Sequence, residues 1–170
     1  MRIDEDTNRI TARITLRGGG STKLAYGAGF LWALTPVIRT GAPSTTLLAK
    51  INPQTNRVVA YAHLAGAADS FAVGRTAIWL IGAAVTELDL RTFRPLGQPV
   101  RVHAGNAAIG TRAIWLTASS GRVLRLDRKT RRLEQPALDI GQSADQIAIA
   151  TTGTVWVTDS IDRVLVRIGD

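Results

Sequence analysis

The chain has 170 residues, 45% apolar and 20% charged, a globular rather than disordered composition with enough length for one domain with a core. It holds no cysteine, which excludes disulfides and thiolate metal sites, and its longest apolar run, residues 77–85, is far short of the roughly 20 that span a bilayer. The net charge of +8, carried mostly by arginine, permits an anionic partner and says nothing about fold.

The first segment, Ile3-Asp4-Glu5-Asp6-Thr7-Asn8-Arg9, sets an aliphatic residue before Asp, then a Thr, then an Arg. Asp in that place closes an Asx-turn onto its own backbone and the Thr hydroxyl can cap it, so one strand ends here and another begins, predicted at 9–16. Gly18-Gly19-Gly20 follows as a flexible connection. It precedes a strand and not a helix, so it presents no phosphate to a helix N-terminus. Leu24-Ala25-Tyr26-Gly27 is a short run centred on alanine, and Phe30-Leu31-Trp32-Ala33-Leu34 is a second centred on tryptophan. Gly27-Ala28-Gly29 makes the tight connection between them. An irregular loop at 35–46, with Pro36, Arg39, Gly41 and Pro43, separates them from a third run at 47–51. Ile51-Asn52-Pro53-Gln54-Thr55-Asn56-Arg57 then repeats the opening turn, and a fourth run covers 57–64.

The same unit returns three times. Phe71-Ala72-Val73-Gly74, the run around Trp79, a strand at 85–88, the turn from Leu88-Asp89 to Thr92-Phe93-Arg94 and a strand at 99–103 form the second copy. Ala107-Ala108-Ile109-Gly110, the Trp115 run, 123–126, the turn from Leu126-Asp127 to Thr130-Arg131-Arg132 and 133–140 form the third. Ile147-Ala148-Ile149-Ala150, the Trp156 run and 164–168 form the last. Two independent markers in constant phase define a repeat of about 40 residues with four strands, A to D, which is the pattern of a β-propeller blade. The chain is therefore read as all-β, one propeller domain over 1–170. Its blades are 21–66, 67–105, 106–142, and 143–170 completed by 8–16. Small residues on strand A suit the innermost position, and tryptophans on strand B would wedge between blades.

Val155-Trp156-Val157-Thr158-Asp159-Ser160 followed by Arg167-Ile168 resembles the streptogramin (virginiamycin B) lyase-like propellers, and Ile51–Val59 looks like the related YVTN and NHL-type repeats. The resemblance runs blade by blade along the chain. It implies a propeller that serves as enzyme, sensor or scaffold, and for the lyases a magnesium ion held among histidines and glutamates. This sequence offers only His63 and His103, near the ends of strand D, and no glutamate in a loop beside either. The lyase's catalytic residues are accordingly not carried over, and no cofactor or metal is implied.

Several residues are candidates for binding. Asp159 and Asp162 in the last B–C loop could offer two carboxylates, although a turn with local hydrogen bonds explains them as well. Ser70, Ser119 and Ser160 stand in no His–Asp pattern. Arg39 and Thr40 lie in the irregular loop, and binding residues favour loops on a rigid scaffold. In a propeller the A–B and C–D turns share a face. That face would gather Arg75, Arg112, Arg128, Lys129, Arg131 and Arg132, together with Arg91 and Arg94, against Asp69, Asp145, Asp159 and Asp162 opposite. A basic face suits nucleic acid, anionic lipid or an acidic protein, while turn arginines also serve solubility. The reading is a non-catalytic binding, scaffold or sensor module for a protein or small-molecule ligand, with a lyase-like enzyme or a fragment of a longer sensor as alternatives. Without a signal segment in this chain the expected location is cytoplasmic. The N-terminal strand at 9–16 is expected to pair with the last strand C. Pairing within one chain gives a four-bladed ring, and between two chains an eight-bladed ring with exchanged strands, while an open half-propeller arc is the alternative without closure. Closure within the chain avoids the entropic cost of association.

Overall fold

A computed structural model describes residues 1–19, 22–37 and 45–169. All its regular elements are strands in small antiparallel sheets, and they fall into two compact units, Met1–Ala67 and Ala68–Asp170. No helix among the described residues is long and apolar enough to cross a membrane.

The first unit holds a hairpin of β1 (Arg2–Ile3) and β2 (Ile10–Ala12) and a sheet in the order β3 (Lys23–Gly27), β4 (Phe30–Val37), β5 (Thr45–Asn52), β6 (Arg57–Ala65). Strand alternation sorts its side chains into two faces. Trp32 lies opposite Ala25 and Lys50 on one face, and Leu31, Ala33, Ala49 and Ile51 lie on the other. Ile14 and Leu16 pack against this second, aliphatic face. Pairing of β4 with β5 reaches Val37 opposite Thr45, so the irregular loop is shorter than the sequence suggests. Thr35 and Thr46 are buried, and Thr46 Oγ1 donates to Gly66 O at 3.0 Å, which satisfies a hydroxyl that sequence alone assigns to a loop.

The second unit contains three blades. Blade two is β7 (Ser70–Val73), β8 (Ala77–Ile81) and β9 (Thr86–Asp89). Blade three is β10 (Ala107–Ile109), β11 (Ala113–Ala118), β12 (Arg122–Asp127) and β13 (Leu133–Asp139). Blade four is β14 (Ile147–Ile149), β15 (Val155–Asp159) and β16 (Val164–Ile168). The A strands β7, β10 and β14 neighbour one another in succession, as the innermost strands of a propeller do. In this unit the tryptophan face of blade two rests on the aliphatic face of blade three, and that of blade three on the aliphatic face of blade four. Trp79 is 1% exposed and shares a core with Ile114, Leu116, Leu124 and Leu126, while Trp115 packs with Val155 and Val157.

Two expected outer strands differ. In blade two the segment 99–103 is reduced to one isolated bridge, Val85 with Val100, and a second, Leu88 with Pro95, precedes it, because Pro95 and Pro99 lack the N–H that a ladder needs. The N-terminal strand is short and its partner is β1, not strand C of the last blade, whose sheet holds three strands. The reason is local. Thr7 N and Oγ1 donate to Asp4 Oδ1 at 2.9 and 2.6 Å, Asn8 takes φ 52°, and Asp4 N donates to Arg9 O, so the turn folds β2 back on the residues before it.

Candidate binding face

The C–D turns are one structure repeated. Asp89 Oδ1 accepts from Arg91 N, Thr92 N and Thr92 Oγ1, and Asp127 Oδ1 accepts from Lys129 N, Thr130 N and Thr130 Oγ1. The Thr92 and Thr130 backbone N–H groups, chiefly, hold these carboxyls below their ordinary range. Asn8, Asn56, Phe93 and Arg131 occupy the same left-handed position, with φ between 52° and 58°.

Hydrogen bonds join these turns to the A–B turns, and thereby define a face of the second unit. Leu90 N donates to Thr76 O in blade two, and Arg128 N donates to Arg112 O in blade three. The Arg128 guanidinium donates to Gly110 O at 3.0 Å and Thr111 O at 3.2 Å, and lies close to Gly74 of the preceding blade. Arg131 reaches back to Glu87 of blade two in an ion pair of 2.6 Å. Of the six basic residues singled out in the sequence, then, Arg128 and Arg131 serve as struts between turns and blades. Arg75, Arg112, Lys129 and Arg132 are exposed, and none has an ion-pair partner among the described residues.

On the same side a cleft of about 470 Å³ opens between blades three and four. Its walls are Trp115, Arg125, Arg167 and the A–B turn Thr152-Gly153-Thr154. Strand pairing places Trp115 opposite Arg125, whose guanidinium carbon lies 5.6 Å from the indole centroid and whose Nη1 pairs with Glu134 at 2.6 Å. Arg125 Nε is buried without a hydrogen-bond partner among the described residues. Nothing in the sequence distinguishes Arg125 from other strand arginines, since its register against Trp115 and the adjoining turn come only from the fold.

The opposite side is built differently. Asp159 is 1% exposed and accepts five hydrogen bonds, from Asp162 N, Ser143 N and Oγ, Gln142 N and Ile161 N. The Asp162 N–H above all holds its carboxyl far below the ordinary range. Asp162 Oδ1 accepts from Gln142 Nε2, and Asp145 accepts from Ser160 and Ser143, which lowers its own carboxyl. Both candidate carboxylates are thus engaged in fastening the last B–C turn to the loop that enters β14. Arg39 and Thr40 lie outside the described residues. His63 is exposed on β6. His103 is exposed in a separate groove with Asn106, Thr117, Ser119 and Asp145, and no hydrogen bond joins it to Ser119 or Asp145 among the described residues. No group of three or more metal-ligating His, Asp or Glu side chains occurs among the described residues.

No protein-family model matches the sequence, and neither does the sequence of any curated protein. Solved structures do match. The computationally designed protein Ika4 aligns with a TM-score of 0.68 at 11% identity, covering 94% of this chain and 98% of its own. Sqt1 of Saccharomyces cerevisiae aligns at 0.59 and 13%, covering 88% of this chain and 45% of its own. HIRA(644-1017) aligns at 0.56 and 9%, covering 89% and 52%. The chain therefore spans about half the length of the latter two, both WD40/propeller-like proteins. With the sheet order, the inner A strands and the face-to-face tryptophan packing, these likenesses define the fold as a β-propeller built from antiparallel blades of three or four strands.

Proposed function

We propose that the protein is a non-catalytic propeller scaffold that binds an acidic protein segment on the face formed by its A–B and C–D turns. The observation that carries this reading is the set of exposed cations without ion-pair partners among the described residues, Arg75, Arg112, Lys129 and Arg132, on one side of the second unit, where the Arg128 strut ties the turns together. An acidic segment would lie along the turns and set a carboxylate in the cleft beside Arg125 and Arg167. WD40-like neighbours that are binding platforms on the same fold support a scaffold reading by analogy. The kinship with streptogramin lyase-like, YVTN and NHL-type repeats, carried by the tryptophan and Asx-turn motifs, is part of the same proposal.

The test uses immobilised polyglutamate at low salt. The triple reversal Arg112→Glu, Lys129→Glu, Arg132→Glu abolishes retention, whereas Arg101→Glu with Arg122→Glu, exposed elsewhere, preserves most of it. Equal loss in both variants shows attraction to net charge alone and removes the face from the proposal. Arg128 and Arg131 are left intact because their replacement breaks internal bonds.

A further inference from the structure

Blade contacts in the second unit establish what covers a tryptophan face. Trp79 meets the aliphatic face of blade three, and Trp115 meets that of blade four. Blade four repeats the tryptophan face, with Ala148, Trp156 and Arg167 in one row and Leu165 beside them. This face is open, with Trp156 36% and Leu165 60% exposed. Blade one presents the complement. On its aliphatic face Leu24 is 63% and Tyr26 67% exposed. Beside them an apolar cleft of about 270 Å³ is lined by Ile14, Leu16 and Leu31 and closed on one side by Met1 and Arg2.

The strand edges match as well. β16 has no fourth strand on its outer edge, while β2 is held by β1 through only two residue pairs with a register irregularity between them. The two residues of β1, Arg2-Ile3, repeat the last two of β16, Arg167-Ile168.

We propose that these surfaces are two halves of one interface completed by a second copy of this chain. β16 of one copy takes the place of β1 on β2 of the other, and the Trp156 face seats in the apolar cleft of blade one. The occupant follows from continuity, since the joint is the blade-on-blade contact already made twice within the chain. β16 brings five residues to an edge where β1 supplies two, so the exchange adds ladder bonds and covers exposed apolar side chains. The exchange is reciprocal between the two copies. The inference concerns the ends of the blade array and is independent of the basic turn face.

Light scattering on the intact chain tests it. The expected mass is twice 18.2 kDa. Trp156→Glu and, separately, Tyr26→Arg each weaken dimerisation about tenfold or more, as removal of an aromatic anchor does. Tyr26 is 67% exposed in the single chain, so Tyr26→Arg leaves circular dichroism unchanged; Trp156 is 36% exposed, and an unchanged spectrum for Trp156→Glu is checked alongside its mass. The native chain lacks cysteine, which allows a second measurement. Arg2 pairs with Ala12, so Arg167 in its place would face Ala12 of the other copy. Mixing an Ala12→Cys preparation with an Arg167→Cys preparation under mild oxidation yields a two-chain disulfide product, well above an Ala12→Cys and Arg91→Cys control. A monomer mass at every concentration, a mass unaffected by Trp156→Glu, or cross-linking no better than the control overturns the proposal.

Discussion

Asp127 and Asn52 occupy the same place in the C–D turns of blades three and one, and both accept from the backbone N–H groups two and three residues on. The turn therefore needs the Oδ1 acceptor more than the charge. Asp127→Asn is expected to keep the native fold with little change in urea midpoint, and Asp127→Ala to lower it, because three donors lose their acceptor. The pair also separates a pH effect. The Thr130 N–H, first, holds the Asp127 carboxyl below its ordinary 3.8 in the folded chain. A carboxyl lowered on folding stabilises above the unfolded value and loses that contribution as pH falls through the folded one. Asp127→Asn thus makes the chain less sensitive to acid, seen as a smaller drop in urea midpoint between pH 6 and about 3. Gly121 tests backbone geometry. It takes φ +66°, and a Cβ there would collide with the Gly141 carbonyl oxygen. Gly121→Ala is expected to cost more than about 2 kcal/mol, read from chemical denaturation.

At the scale of elements, stability resides in the seams between blades. Trp79→Ala empties the seam between blades two and three and is expected to cost roughly 3–5 kcal/mol. Trp79→Phe costs much less than that, because Trp79 Nε1 is buried without a hydrogen-bond partner among the described residues and its removal breaks no bond to them. Similar urea midpoints for the two variants would place the tryptophan outside a packed seam. These seams were legible in the sequence because each tryptophan sits at one phase of a repeat whose second marker, the Asx-turn, is read independently. Strands A to C follow from that phase; β16 has the limits read from the sequence, 164–168. Outer strands were harder. Strand D packs on one side only and carries less apolar signal, so prolines decided blade two, and a local turn decided the pairing of β2. Of the candidate site, the placement of arginines in the A–B and C–D turns was readable from the repeat. That Arg128 and Arg131 are struts was not, since Gly110 and Glu87 come within reach only in three dimensions. A turn with local hydrogen bonds was readable for Asp159, but the bonds it accepts from Gln142 and Ser143 were not, because sequence gives no sign that the loop entering β14 folds over it.

For the molecule as a whole, charge and hydrogen bonding act together in acid. With 21 Lys and Arg against 13 Asp and Glu, the chain is at +8 near neutrality and gains further positive charge as carboxylates protonate. Asp4, Asp89, Asp127, Asp145 and Asp159 are all lowered by hydrogen bonds made in the folded state. Their contribution is complete above the ordinary value of 3.8 and is lost as pH drops through the folded values, so unfolding is expected to begin below about pH 4. Self-repulsion among the arginines adds to that loss, and the two causes respond differently to salt. Repulsion acts over distances that sodium chloride screens, with a Debye length of roughly 10 Å at 0.1 M and 3 Å at 1 M. The bonds to Asp159 are made at contact and out of water, where salt has little effect. Raising sodium chloride from about 0.1 to 1 M is therefore expected to move the acid midpoint to lower pH without abolishing the transition. Reversal of exposed arginines, as in the Arg112→Glu, Lys129→Glu, Arg132→Glu variant, should shrink that salt shift, because less repulsion remains to be screened. If the variant keeps the full shift, repulsion among these turns is not what salt relieves, and loss of the aspartate hydrogen bonds alone governs acid unfolding.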